Sequence, residues 1–298
     1  MKTLIVVVGP TAIGKTSLAI ALAKQYQTEV ISADSRQFFK EMSIGTAKPS
    51  EEELAEVPHH FINSHSITQL FSTGDFEIQA LTLMEKLFID HNILIMVGGS
   101  GLYINAICNG LDEMPEIDLN IRKQLNQQFA DEGIEAIRTR LAKLDAEYFA
   151  KVDQSNPQRM IRGLEVVLST GQKLSSFLTA NKKERPFNII KIGLNTDREK
   201  LYQQINHRVD LMIENGLVEE VKSLEPYKNL NALKTVGYSE IFDYLEYKTD
   251  LPIAIDKIKQ NTRRFAKRQL TWFRKDPETT WFEPGRNDEV FEFVDKQL

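Results

Sequence analysis

One cysteine, Cys108, stands among 298 residues. This excludes an internal disulfide and any cysteine-rich zinc site, and it makes reducing cytosol the default setting, so a cytoplasmic location is expected. No apolar run approaches the ~20 residues that a membrane-spanning helix needs, so no membrane segment is expected. The apolar start, Leu4 to Val8, is too short for a signal peptide. Positive charge is not in surplus: 37 Lys and Arg stand against 42 Asp and Glu, a net charge of −5. A protein coated in basic charge is thereby excluded, and any nucleic-acid role needs a local basic face. Internal repeats and low-complexity tracts are absent. The remainder, 42% hydrophobic and 27% charged, is an ordinary soluble mixture. Its length calls for one large domain with an insertion, or for two domains.

One stretch carries chemistry on its face: Gly9-Pro10-Thr11-Ala12-Ile13-Gly14-Lys15-Thr16. A β-branched run, Leu4-Ile5-Val6-Val7-Val8, precedes it, and Ser17 to Lys24 follows with Leu18, Ala21 and Leu22 at helical spacing. Strand, glycine loop and helix form the context of a P-loop. The glycines allow successive N–H groups to turn inward as an anion nest, and the helix aims its positive end there. Lys15 adds a mobile cation, and the Thr16 hydroxyl can ligate Mg²⁺. This is a site for a phosphate chain.

Glu29 to Ala33 reads as a second strand whose carboxyl end carries Asp34-Ser35-Arg36-Gln37. Ligands gather at such ends in parallel α/β sheets, which brings Asp34 toward the phosphate site. On position alone, Asp34 serves equally well as a turn or helix-capping carboxylate. Ser43 to Ser72 reads as irregular. His59-His60 has no carboxylate partner at ligand spacing, which disfavours a metal there. Phe76 to His91 follows as an amphipathic helix with Phe76, Ala80, Leu83, Leu87 and Phe88 on one face. The strand Ile93–Val97 ends in Gly98-Gly99-Ser100-Gly101, where a motor ATPase or GTPase would place a Mg²⁺-holding acid. Ser100 is a candidate helix cap, and the glycines beside it permit close approach of a ligand.

From Asp112 to Pro186 the composition shifts to helical patterns over 119–131, 134–144 and 157–169, with no strand between them. The expected architecture is an α/β, P-loop NTPase-like parallel sheet flanked by helices. Its core comes in two parts, 1–111 and 187–298, around an all-α insertion, 112–186. Arg159 and Arg162 lie three apart near a helix start, where a solvated pair is the simpler reading. Strand character returns over 187–194, followed by helices over 198–214, 218–224, 238–245 and 253 to about 274, with Gly216 as a C-cap. The last helix shows an apolar stripe of Ile255, Ile258, Phe265 and Trp272, with Thr262 completing the spacing. From Lys257 to Lys275 it carries eight cations and no acid, including Arg263, Arg264, Lys267, Arg268 and Arg274. A solvated helix would mix signs, so this concentration favours phosphate or nucleic-acid contact.

These residues together resemble the bacterial tRNA dimethylallyltransferases (tRNA isopentenyltransferases) over nearly the whole chain. The resemblance rests on the glycine loop 9–16, Ser-x-Asp-Ser at 32–35, Ile-Gly-Thr-Ala-Lys-Pro at 44–49 and Val-Gly-Gly-Ser-Gly-Leu-Tyr at 97–103. It continues through Asn156-Pro157-Gln158-Arg159, Arg208-Val209-Asp210 to Gly216-Leu217, Val236-Gly237-Tyr238 and the stretch 266–274. It implies transfer of a dimethylallyl group from dimethylallyl diphosphate to N6 of the adenosine 3′ of the anticodon, position 37, without use of ATP. The partner would be the tRNA anticodon stem-loop, and the chain is expected to act as a monomer.

On that resemblance the loop, Gly9 to Thr16, grips the diphosphate together with Arg208, and Thr16 holds Mg²⁺. Asp34 is the base or acceptor for N6–H, assisted by Lys15, Thr16 and Ser100. The implied tRNA contacts are Asp34, Ser35, Arg36, Gln37, Ser100, Arg122, Gln158, Arg159, Met160, Ile161 and Arg162. The basic helix adds Arg264 and Arg268. Ser239 departs from the pattern, standing where relatives often carry Lys or Arg. A P-loop kinase of a small metabolite and a non-catalytic RNA-binding protein are the competing readings.

Overall fold

The run Leu4 to Val8 shows why the sheet forms. Alternate residues of a strand point to opposite faces. Leu4, Val6 and Val8 enter one hydrophobic core, and Ile5 and Val7 enter another. All five are at most 3% exposed. A strand covered on both faces must be apolar throughout, which explains a continuous run rather than alternation. Each such side chain contributes about 1.5–3 kcal/mol through burial.

The structure, a computed structural model, describes residues 1–179 and 181–298. In chain order the elements begin with β1 (Thr3–Val8), α1 (Lys15–Gln25), β2 (Val30–Ser32), α2 (Glu51–Glu56), β3 (His59–His60), α3 (Thr73–Asp90), β4 (Ile93–Gly98) and α4 (Gly101–Asn109). Five helices follow: α5 (Leu119–Glu132), α6 (Ile134–Leu144), α7 (Ala146–Lys151), α8 (Pro157–Thr170) and α9 (Leu174–Phe177). The chain then continues through β5 (Asn188–Leu194), α10 (Arg198–Glu214), α11 (Leu217–Ser223), α12 (Tyr238–Leu245), α13 (Leu251–Phe273), β6 (Thr279–Phe282) and α14 (Asn287–Asp295). Among the described residues no helix is long and apolar enough to cross a membrane.

Two units result. Met1–Cys108 with Glu184–Leu298 forms one, and Asn109–Lys183 the other. In the first, the strands pair in the order β3-β2-β4-β1-β5-β6, every pairing parallel. Helices α1, α14 and the first half of α10 pack on one face, and the second half of α10, α3, α4, α11, α12 and the start of α13 on the other. This is a P-loop NTPase-like sheet. The second unit is helical among its described residues, around Leu125, Ile137, Leu141, Met160, Ile161 and Leu164.

Some elements depart from the expected pattern. The segment 43–72 contains both α2 and β3, so it is not irregular throughout. Ser50 and Glu53 form a reciprocal capping box at the start of α2, a local signal visible as Ser-Glu-Glu-Glu. Beyond Lys275, β6 and α14 complete the sheet edge, and Phe282 packs on Phe293 with ring centroids 5.5 Å apart. The apolar stripe of α13 also differs. Ile258 and Thr262 are buried as expected, but Phe265 and Trp272 are 39% and 45% exposed, and polar Gln269 is buried with Ala266 and Phe273. The buried glutamine reflects the site beneath that helix.

Candidate active site

Between β1 and α1 the loop takes backbone conformations that few residues tolerate. Gly9 has φ +148° and Gly14 φ +92°, and Ala12 is held left-handed at φ +65°. A Cβ on Gly9 would lie 2.7 Å from the Leu194 carbonyl oxygen, so only glycine fits against β5. Ile13 is 1% exposed in the core, so this loop position can serve a ligand only through its backbone. The Lys15 ammonium folds back to the Pro10 carbonyl at 2.7 Å. The Thr11 amide donates to Gln269 Oε1 at 2.8 Å, while Gln269 Nε2 donates to the Gly99 carbonyl at 2.9 Å. Gln269 thus ties the glycine loop to the β4–α4 turn. The sequence offered no local sign of this role, because the partners lie 258 and 170 positions away.

A cavity of about 300 Å³ opens over the loop, lined by Thr11 to Ser17, Asp34, Gln37, residues 46–49, Gly98, Gly99, Arg208 and Phe265. A second, of about 200 Å³, shares Thr11, Asp34, Thr46, Arg208 and Phe265 with it and adds Ser35, Arg36, Ser100 and Thr235 to Gly237. Asp34 therefore stands where two cavities share a wall. Both readings of it hold, since Oδ1 accepts the Arg36 amide at 2.9 Å and the Gln37 amide at 3.4 Å, an Asx turn. Ser100 Oγ accepts the Ser35 amide at 2.9 Å and donates to Ser35 Oγ at 3.1 Å, fixing the same turn from β4. Gln37 is spent on structure, donating to the Thr46 and Ala47 carbonyls at 3.2 and 3.0 Å. Arg208 donates to Thr11 Oγ1, while its Nε is buried without a partner. An unpaired guanidinium donor beside an anion nest is suited to a phosphate oxygen.

Burial and charge act on both cations. Burial, then repulsion by Arg208, brings the Lys15 ammonium down to about 7, with Asp34 opposing. Burial lowers Arg208 to about 10, again against the pull of Asp34. A bound anion must favour the charged lysine. Above pH 7 the free lysine is mostly neutral, so binding takes up a proton, and lysine-dependent affinity weakens as pH rises; about a unit or more below pH 7 the dependence fades. Calorimetry with inorganic pyrophosphate at pH 8, in buffers of different ionisation enthalpy, is expected to show that wild type takes up more protons than Lys15→Met, the ligand's own last proton being common to both. Equal proton exchange by both proteins would contradict the assignment.

In the second unit α8 sorts its residues by face. Gln158 and Arg159 are exposed and Arg162 partly so, but Met160 and Ile161 are 0% and 1% exposed. The expectation that Met160 and Ile161 touch RNA is corrected: a helix turns about 100° per residue, and these two face the bundle core. Arg122 and Arg162 both pair with Glu165, at 2.6 and 3.2 Å, whose side chain is fully buried. On α13 the cations divide. Lys259 pairs with Asp210 and Arg263 donates to Asn206, each at 2.6 Å, whereas Arg264 and Arg268 are exposed.

A family model described as IPP transferase matches residues 37–276. This chain belongs to the IPP transferase family. A tRNA dimethylallyltransferase of Christiangramia forsetii is 55% identical over 99% of this chain and 98% of its own length. That of Flavobacterium psychrophilum is 52% identical over 95% and 94%. The crystal structure of a full-length tRNA isopentenylpyrophosphate transferase from Bacillus halodurans superposes with a TM-score of 0.74 at 36% identity, over 100% of this chain and 97% of that one. A eukaryotic dimethylallyltransferase, captured acting on tRNA, gives a TM-score of 0.78 at 27% identity, over 95% and 74%. Family membership makes the chain a transferase.

Proposed function

We propose that this chain transfers the dimethylallyl group of dimethylallyl diphosphate to N6 of adenosine 37 in tRNA, giving N6-isopentenyladenosine and diphosphate. The observation that carries the reading is Asp34, a carboxylate on the wall shared by the phosphate-loop cavity and its neighbour. The N6 lone pair is delocalised into the adenine ring, so the nitrogen is a weak nucleophile. As N6 bonds to C1 of the donor, the C1–O bond breaks and its electron pair leaves with the diphosphate. Asp34 receives the N6 proton. Lys15, Arg208 and the loop amides meet the growing negative charge. The adenine must first leave its stack, at a cost of about a few kcal/mol that is smallest in a loop.

Mg²⁺ suits this site only as an ion shared with substrate. The Thr16 hydroxyl lines the cavity, and no cluster of three His, Cys, Asp or Glu occurs among the described residues. Phosphate oxygens and water would therefore complete its shell, and its charge would assist departure of the diphosphate. Mass spectrometry of nucleosides from tRNA treated with enzyme, Mg²⁺ and dimethylallyl diphosphate should show N6-isopentenyladenosine at position 37. Its absence would overturn the proposal.

Exposed Arg264 and Arg268 are proposed to hold the RNA backbone. Changing both to Gln should weaken binding to all tRNAs. It should also flatten the log K against log salt slope by roughly 0.7–0.9 for each phosphate that is no longer neutralised. An unaltered slope in a folded variant would mark this face as merely solvated.

A further inference from the structure

The wall between the two cavities is held from behind. Gly45 and Thr46 line the second cavity, and Thr46, Ala47 and Lys48 line the first. This turn contains no regular structure of its own, and Ala47 sits at φ +48°. Three successive amides of it converge on one side chain of α11. Glu220 Oε2 accepts from Ser43 N at 2.9 Å and Ile44 N at 2.8 Å, and Oε1 accepts from Gly45 N at 3.0 Å. The Tyr238 hydroxyl adds a fourth donor to Oε1 at 2.6 Å. Consecutive N–H groups pointing inward make an anion nest, and here the anion is the protein's own carboxylate. Tyr238 is fully buried, and its ring lies 2.5 Å from where a Cβ on Gly45 would stand. The glycine of Ile44-Gly45-Thr46 is therefore set by the tyrosine. Glu220 itself lines neither cavity.

We infer that Glu220 is a positioning residue for the transfer reaction: its carboxylate, with Tyr238, fixes the Ser43–Lys48 turn as the wall against which donor and adenine are aligned. Four donors on one carboxylate suit a charged acceptor, and a glutamine would turn an NH₂ toward N–H groups. Losing the clamp relaxes the turn without touching the glycine loop. Small misplacement of reacting atoms costs rate steeply, so the defect belongs in kcat.

The inference rests on the proposed transfer activity, for which wild type is the control: wild type without activity would defeat both. With active wild type, Glu220→Gln should lower kcat at least ~10-fold, the order expected for impaired alignment. Its Kd for inorganic pyrophosphate, which needs only the glycine loop and its cations, should stay within about twofold. Tyr238→Phe keeps the ring and removes one of four donors, so its kcat should fall about threefold, again with pyrophosphate binding kept. Because it leaves the packing intact, it decides the matter if Glu220→Gln does not fold. Wild-type kcat in either folded variant, or parallel loss of pyrophosphate binding, would overturn the role.

Discussion

Asp34→Asn is expected to lower the single-turnover rate of prenyl transfer by ~10²-fold or more, the usual scale for a general base. Asparagine is the informative choice because its Oδ1 can still accept the Arg36 and Gln37 amides that now end on the aspartate. The turn should survive, and what is lost is the charge and the proton acceptor. A side effect must be separated from this. Asp34 supports the charged forms of both Lys15 and Arg208, so removing it lowers both further. Lysine at neutral pH would then be less protonated and donor binding weaker. Measurement at saturating donor, whose bound diphosphate holds Lys15 in its charged form, isolates the chemical step. A rate within about threefold of wild type under those conditions would end the assignment of Asp34 as base.

The clarity with which this site could be read from sequence followed the distance between its parts. The glycine loop is contiguous, and its strand and helix flanks are local, so residues 9–16 announced the fold. Asp34 needed one further step, the rule that ligands collect at strand carboxyl ends. Beyond that, pattern misled where burial and chemistry part company. Phe265 and Trp272 are apolar at helical spacing, yet they are partly exposed, and Phe265 lines both cavities. Gln269 is polar, yet it is 5% exposed because its amide satisfies the loop and the glycine turn together. Motif matching treated 158–162 as one contact strip, although helical geometry sends Met160 and Ile161 inward. The uniform run of cations on α13 hid a division that only its partners on α10, Asp210 and Asn206, reveal. Helix α2 is a different case, since its capping box was written in four consecutive residues.

Lys15→Ala should reduce transfer by ~10²–10³-fold, the cost of removing one well-placed donor to developing negative charge. The loop itself should persist: Gln269 still holds the Thr11 amide and the Gly99 carbonyl, and the left-handed turn at Gly14 does not depend on the lysine. By motif alone such a loop would serve a nucleoside triphosphate. Two features argue for an isoprenoid diphosphate instead: β4 ends in Gly98-Gly99 with no acid to hold Mg²⁺, and the cavity leads from Lys15 to Asp34. Wild type is therefore expected to prenylate tRNA in nucleotide-free buffer containing only Mg²⁺ and dimethylallyl diphosphate, and Lys15→Ala to fail there. A nucleotide can still occupy the nest, because the amides read oxyanions rather than the group attached to them, and added ATP should then slow the reaction. Product that forms only after ATP is supplied, or release of ADP with no prenylated adenosine, would replace this mechanism with phosphoryl transfer.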